Sequence, residues 1–152
     1  MHAILEIILI VVVGCVTGAE LGSWSCVQPV VAKLPYAHYV ETERAMLRTF
    51  GRVMPVLMPL SGVLAIVFLI LFWDSTDWAR WPRLAAAGCL AITMSTTLLI
   101  NVPINRRTAD WSSDTDSPVQ WLEMRKRWHF FQGVRGALYL SAFVLLVIAA
   151  VL

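Results

Sequence analysis

Charged side chains are scarce in this 152-residue sequence. Asp, Glu, Lys and Arg make up 14% of the chain, whereas an ordinary soluble domain has about 25%. Apolar residues make up 59%, which excludes a disordered chain and a coiled coil. The net charge is only +2 and no basic face stands out, so nucleic acid is not an expected partner.

Cysteine and histidine are also scarce. Cys15, Cys26 and Cys89 form no C-x-x-C pair, so neither a disulfide framework nor a zinc site is expected, and all three are predicted to be small buried residues. The sequence has three histidines and no H-x-x-x-H or E-x-x-H pair, so a haem, copper or di-iron centre is not expected either. The sequence therefore predicts no metal and no cofactor.

Long apolar runs dominate the chain instead. Four of them, at about 4–24, 53–73, 84–104 and 130–152, reach the length of about 20 residues that spans a bilayer as a helix. They predict an all-α fold, a single integral membrane domain over 1–152 built as a four-helix transmembrane bundle. The first run is longer than the apolar region of a signal peptide, so we expect it to remain as a helix of the mature protein.

The distribution of cations predicts the orientation of this bundle. Residues 27–52 and 105–129 together carry nine Lys and Arg, residues 74–83 carry two, and the termini carry none. By the positive-inside rule, the two longer connections face the cytoplasm, and the short turn between the second and third spans faces the other side with both termini. The expected location is a bacterial inner membrane.

The connections carry structural signals of their own. Pro35 is suited to the N1 position of a helix, and the apolar spacing after it predicts a helical cytoplasmic extension before the second span. Pro55 and Pro59 are expected to bend that span. Most tryptophans are interpreted as interfacial anchors in two belts. The belts comprise Trp73, Trp78 and Trp81 on one side and Trp111, Trp121 and Trp128 on the other.

Polar residues of three spans are predicted to meet at one depth. Glu20 lies about one turn from the cytoplasmic end of the first span, and Arg135 lies one to two turns inside the fourth. An ionisable residue inside a span is costly and by default functional. On the third span, Asn101 and Asn105 reach the same depth, continuing an i+4 series from Thr93 and Thr97. On the fourth, a spacing of 4, 3, 4, 3 and 4 places one polar face in the bundle, made of Trp121, Arg125, Trp128, Gln132, Arg135 and Tyr139.

These residues resemble a known family. The resemblance rests on Gly18 and Pro29, Phe50-Gly51-Arg52-Val53-Met54-Pro55, Asn101-Val102-Pro103-Ile104-Asn105, and Trp121 followed by Arg127-Trp128 and Arg135. In this order they resemble the small four-helix membrane proteins grouped with fungal and bacterial anthrone oxygenases. Gln132 departs from the pattern, because many relatives are expected to carry Asn there. The resemblance implies oxidation of a phenolic anthrone at its central carbon by dioxygen, without metal or flavin.

The residues suit such a reaction. Glu20 or His129 is predicted to be the base, while Arg135, Asn101 and Asn105 are predicted to hold the developing oxyanion. The side chains predicted to contact the substrate are Trp24, Met58, Thr97, Trp128, Gln132 and Tyr139. The expected partners are a small hydrophobic aromatic substrate, dioxygen and the lipid bilayer.

Two alternatives remain open at the level of sequence. A proton-coupled small-molecule transporter would use Glu20 to bind protons and a cationic substrate in turn, although Arg135 at the same depth argues against it. A non-catalytic lipid- or quinone-binding membrane subunit would use its cytoplasmic cations on anionic headgroups or an acidic partner. Gly14, Gly18 and Gly22 form overlapping G-x-x-x-G patterns that favour close packing within the chain or in a homo-oligomer.

Overall fold

Four long helices make up the fold. They are seen in a computed structural model that describes residues 2–73 and 78–152. The helices are His2–Val31, Tyr36–Leu71, Arg80–Asp110 and Pro118–Val151, called here the first to fourth, and each is long and apolar enough to span a membrane. The predicted all-α, four-helix transmembrane class is confirmed, and the helices extend beyond the predicted spans. Residues 74–77 of the predicted short turn lie outside the described residues.

Prolines mark the local structure of these helices. Pro35 lies at the N-cap, one residue before the predicted position, and the second helix runs unbroken through Pro55 and Pro59. Pro29 and Pro103 each follow a π-helical segment by two residues. Proline has no N–H to donate to the carbonyl four residues back, so one α-helical hydrogen bond is missing at each of these positions. The helix accommodates the missing bond with the i→i+5 hydrogen bonds of a π-helix.

The helices alternate in direction. Glu6, near the start of the first helix, lies 3.2 Å from Arg83 near the start of the third. Arg83 also donates to the carbonyl of Ala149 near the end of the fourth, and His2 packs against Phe72 at the end of the second. We call this the termini end of the bundle. The opposite end, which holds the connections 32–35 and 111–117, is called the two-loop end.

Each helix packs against two others. The fourth packs on the third and the first, and the second packs on the same two helices from the other side. The main apolar core fills the half of the bundle toward the termini end. It is built on Leu9, Val13, Val16, Met58, Ala65, Phe68, Ala86, Leu90, Tyr139, Ala142 and Leu146.

A second, aromatic cluster lies at the two-loop end. The predicted role of Trp111, Trp121 and Trp128 as interfacial anchors is wrong, since all three side chains are at most 7% exposed. The ring of Trp121 meets Tyr39 edge-on at 5.4 Å, and Trp111 Nε1 donates to the Tyr36 hydroxyl at 3.0 Å. These tryptophans are buried because the helices continue past the apolar runs and pack there. Those at the other end, Trp73, Trp78 and Trp81, are exposed, as an interfacial belt requires.

The cysteines and the glycines of the first helix are less tightly packed inside the bundle than the sequence predicted. Cys15 and Cys26 are exposed and Cys89 is half-buried, so the prediction that all three are buried is wrong. In a membrane span the outward face contacts lipid, where a small apolar side chain needs no protein cover. Of the three glycines in the G-x-x-x-G patterns, only Gly14 packs closely, against the Phe143 ring of the fourth helix, whereas Gly18 and Gly22 have no described atom within 4 Å of where a Cβ would stand.

Candidate functional site

A cavity of about 310 Å³ lies among the four helices toward the two-loop end. Its volume is at the lower limit of the roughly 300–1,000 Å³ typical of small-molecule sites. The polar side chains that line it are Glu20, Ser23, Gln28, Glu43, Thr97, Asn105, Gln132 and Arg135. The apolar lining comes mainly from methionines, prolines and aromatic residues, namely Met46, Phe50, Met54, Pro55, Met58, Pro59, Met94 and Trp128, and it includes Leu98 of the third helix.

A buried ion pair forms one wall of the cavity. Arg135 Nε and Nη2 each lie 2.8 Å from Glu20 Oε2. Arg135 also donates to the side-chain oxygen of Gln132, and its Nη1 lies 3.5 Å from Thr97 Oγ1. No hydrogen bond among the described residues uses Glu20 Oε1. The pair is thus held by three helices, and one carboxylate oxygen remains for a ligand.

Both π-helical segments border this wall. The first, Ser23–Val27, follows Glu20 by about a turn, and the second, Thr97–Asn101, begins at the threonine that contacts Arg135. Segments of this kind are frequent at functional sites, because the extra residue in a turn redirects the side chains that follow. Ser23 and Thr97, the first residues of the two segments, lie on the cavity wall.

A second buried ion pair lies at the two-loop side of the cavity. Arg125 Nη2 is 2.8 Å from Glu43 Oε2, and both side chains are 3% exposed. The guanidinium nitrogens of Arg125 make no hydrogen bond among the described residues, so the contact is an ion pair, and Arg125 Cζ lies 4.1 Å from the centroid of the Trp128 ring. Trp128 Nε1 donates to Asn105 Oδ1 at 2.8 Å. These contacts fix the indole as an aromatic wall of the cavity.

Seven of the eleven residues predicted from the sequence line this cavity. They are Glu20, Met58, Thr97, Asn105, Trp128, Gln132 and Arg135. Glu20, Asn105 and Arg135, three of the four residues that the sequence predicted to meet at one depth, therefore share the cavity wall. The roles assigned to these residues stay predictions.

The other four predicted residues lie outside the lining. Trp24 and His129 stack on each other with centroids 5.6 Å apart, and the Trp24 ring packs over Gly133. Tyr139 is buried in the main core, where its hydroxyl lies 3.2 Å from Ser61 Oγ. Asn101 is 1% exposed, and neither of its amide atoms has a hydrogen-bond partner among the described residues.

Sequence reasoning missed Gln28 and Glu43. Both were placed in a connection outside the membrane, whereas the helices continue through them into the cavity wall. A signal was present for Glu43, since it shares a helical spacing with the apolar residues that follow Pro35. A carboxylate at such a position needs a buried partner, and Arg125 belongs to the polar face predicted on the fourth helix. Among residues 2–73 and 78–152, no three side chains of the His, Cys, Asp or Glu type gather as metal ligands would.

A comparison with known proteins places the chain in a family. The family model described as anthrone oxygenase matches residues 46–145, more than half of the chain. The chain belongs to the anthrone oxygenase family. No curated protein and no solved structure matches it significantly. The region matched to the anthrone oxygenases includes Asn105, Trp128 and Arg135, while Glu20 and Glu43 come from the preceding part of the chain.

Proposed function

We propose that this protein oxidises a planar phenolic substrate of the anthrone type with dioxygen, using its own side chains and no cofactor. The observation that carries the proposal is the buried Glu20–Arg135 pair on the wall of a cavity whose apolar part is lined mainly by Met, Pro, Phe and Trp side chains. Such a cavity combines a base and a cation with flat apolar walls, which suits an aromatic substrate that becomes an anion during the reaction.

The reaction balances without a further reactant. A base removes a proton from the central CH₂ carbon of the anthrone, and the resulting carbanion adds dioxygen to give a hydroperoxide after protonation. Removal of the remaining C–H proton then breaks the O–O bond, which forms the ketone and releases water. The carbon loses four electrons and dioxygen gains four. The protein has to accept a proton, stabilise an anion and exclude bulk water.

Glu20 and Arg135 supply the first two requirements together. In the resting protein, Glu20 is the counterion of Arg135. When Glu20 accepts a proton from the substrate, it loses its charge, and the substrate anion takes over as the partner of Arg135. The total charge of the site does not change, so no uncompensated charge is created in the membrane interior. Glu20 is the better supported base, because it lines the cavity whereas His129 stacks on Trp24 outside the lining.

The transporter alternative has less support. A cationic substrate would face Arg135, and the apolar core of the bundle lies between the cavity and the termini end. A non-catalytic binding function would use the same cavity, so it differs from the proposal only in the absence of turnover.

The test measures dioxygen uptake and quinone absorbance when the purified protein meets a panel of anthrones, with and without a metal chelator. Glu20→Gln is expected to lower kcat by about 10²–10⁴-fold, the usual contribution of a general base. Glu6→Gln is the matched control, because it also removes an interhelical ion pair but lies about 21 Å away along the same helix. Equal turnover in Glu20→Gln and the wild type would refute the assignment, and no turnover of any anthrone by the wild type would refute the proposed reaction.

A further inference from the structure

The exposed part of the cavity wall is uniformly apolar. The charged and polar residues that line the cavity are all buried or half-buried. The lining residues that are exposed on the outside of the bundle are Phe50, Gly51, Pro55, Pro59 and Leu98. We call these five residues the apolar rim. A cavity that opened to water would be expected to show polar groups at its mouth, and this one shows none among the described residues.

The apolar rim lies where the second and third helices meet. Leu98 is 58% exposed and belongs to the π-helical segment of the third helix, while the other four residues follow one another along the second. From Phe50 to Pro59 the rim covers about 14 Å of helix. That is close to half of the roughly 30 Å hydrocarbon layer. Both helices qualify as membrane spans, and Pro55, Pro59 and Leu98 lie within their apolar runs, so this part of the rim faces lipid. Phe50 and Gly51 lie between Arg48 and Arg52, at the end of the run.

The two ends of the bundle are closed by packed side chains. Toward the termini end, the cavity stops at the main core around Phe68 and Leu90, neither of which lines it. Toward the two-loop end, the buried cluster around Tyr39, Trp111 and Trp121 lies beyond Glu43. Between the second and third helices the cavity is covered in part by Gly51, Pro55 and Pro59, which contribute little side chain.

We propose that the substrate reaches the Glu20–Arg135 pair directly from the bilayer, through the apolar rim. This inference rests on the proposed function and narrows its substrate class to uncharged, planar aromatic molecules that partition into lipid. A sulfonated or phosphorylated conjugate would have to bring a fixed charge past apolar side chains, and the desolvation of that charge opposes its passage. The substrate loses its proton only after it has reached the ion pair.

The test measures how fast a ligand binds to the protein in lipid nanodiscs, by stopped-flow absorbance. The ligand is a dihydroxyanthraquinone that carries an alkyl chain long enough to hold it in the bilayer, and its binding requires no turnover. Leu98→Trp narrows the rim, whereas Leu98→Ala widens it. Leu99→Trp and Leu99→Ala are matched controls, because Leu99 is 76% exposed but does not line the cavity.

We expect the two Leu98 variants to change the association rate in opposite directions and the two Leu99 variants to leave it nearly unchanged. Leu98→Trp should slow association by on the order of tenfold and Leu98→Ala should accelerate it, while both Leu99 variants stay within about twofold of the wild type. These opposite signs distinguish a passage from a folding defect, which would slow both variants.

Several outcomes would overturn the inference. Equal rates for the Leu98 and Leu99 variants would do so, as would equally fast binding of a water-soluble sulfonated dihydroxyanthraquinone. If neither ligand bound the wild type, the passage and the proposed substrate class would both be wrong. If the Leu98 variants behaved as expected but no anthrone were oxidised, the passage would stand and the proposed reaction would fall.

Discussion

Glu20→Gln should make this protein bind an anionic ligand more tightly while it turns over substrate more slowly. The change keeps the size of the side chain and removes the charge that faces Arg135 at 2.8 Å. Glu20 is 2% exposed and Arg135 is 7% exposed, so bulk water screens the remaining cation little. Breaking a buried ion pair from one side costs about 3–5 kcal/mol, and we expect the free energy of unfolding to fall by that amount.

The unpaired Arg135 then gains from any anion that enters the cavity. A hydrogen bond to a charged group is worth about 1.5–3 kcal/mol, which corresponds to binding that is about 10–100-fold tighter. The gain should apply to the phenolate of a dihydroxyanthraquinone and not to its neutral form. Because the same substitution removes the base, turnover falls as binding tightens. A purely structural ion pair would not give this combination.

The assay titrates the ionised dihydroxyanthraquinone into protein in nanodiscs and follows its visible absorption, with melting temperature measured in parallel. Arg135→Gln is the opposite perturbation and should abolish phenolate binding. Glu6→Gln should leave binding unchanged, because its ion pair with Arg83 is at the termini end. The reasoning is refuted if Glu20→Gln weakens phenolate binding as much as Arg135→Gln does, since Glu20 would then not compete with the ligand for the guanidinium.

Two further predictions concern packing and orientation. A Cβ at Gly133 would lie 2.8 Å from Trp24 Nε1, so Gly133→Ala should destabilise the protein by about 1–3 kcal/mol. Gly18→Ala, which adds a methyl group in open space, should stabilise the helix by up to about 1 kcal/mol, and equal melting temperatures of the two variants would contradict this. For orientation, alkaline phosphatase fused after Leu152 should be active and the same enzyme inserted after Asp114 inactive, because the cation-rich connections are expected in the cytoplasm. The reverse pattern of activity would contradict the predicted orientation of the helices in the membrane.

Much of the site could be predicted from distance along the helices. A rise of about 1.5 Å per residue and alternating helix direction place Glu20 and Arg135 at one depth, and the structure joins them in an ion pair. The spacing of the polar residues on the fourth helix predicted a face inside the bundle. All six of them, Trp121, Arg125, Trp128, Gln132, Arg135 and Tyr139, are buried. Periodicity succeeds here because a continuous helix fixes both depth and direction.

The residues that sequence reasoning missed lie where helices continue beyond the apolar runs. Hydropathy marks only the lipid-facing part of a helix, so Glu43 was assigned to a connection although it packs inside the bundle against Arg125. For the same reason, Trp111 and Trp121 were assigned to the membrane interface, whereas the extended helices bury them together. Contacts between helices decide whether a tryptophan anchors the protein at the membrane interface or packs inside the bundle. These contacts are not visible in one sequence.

The i+4 series of polar residues on the third helix stays on one face of the helix because a π-helical segment interrupts the α-helix. In an α-helix each step of four residues drifts by about 40°, so the three steps from Thr93 to Asn105 would drift by about 120° and turn Asn105 away from the fourth helix. A π-helical turn holds more residues, so the step from Thr97 to Asn101 drifts the other way. In the structure Thr97 contacts Arg135 and Asn105 accepts from Trp128, so both still face the fourth helix. Pro103 stands two residues after the segment that keeps this polar stripe straight.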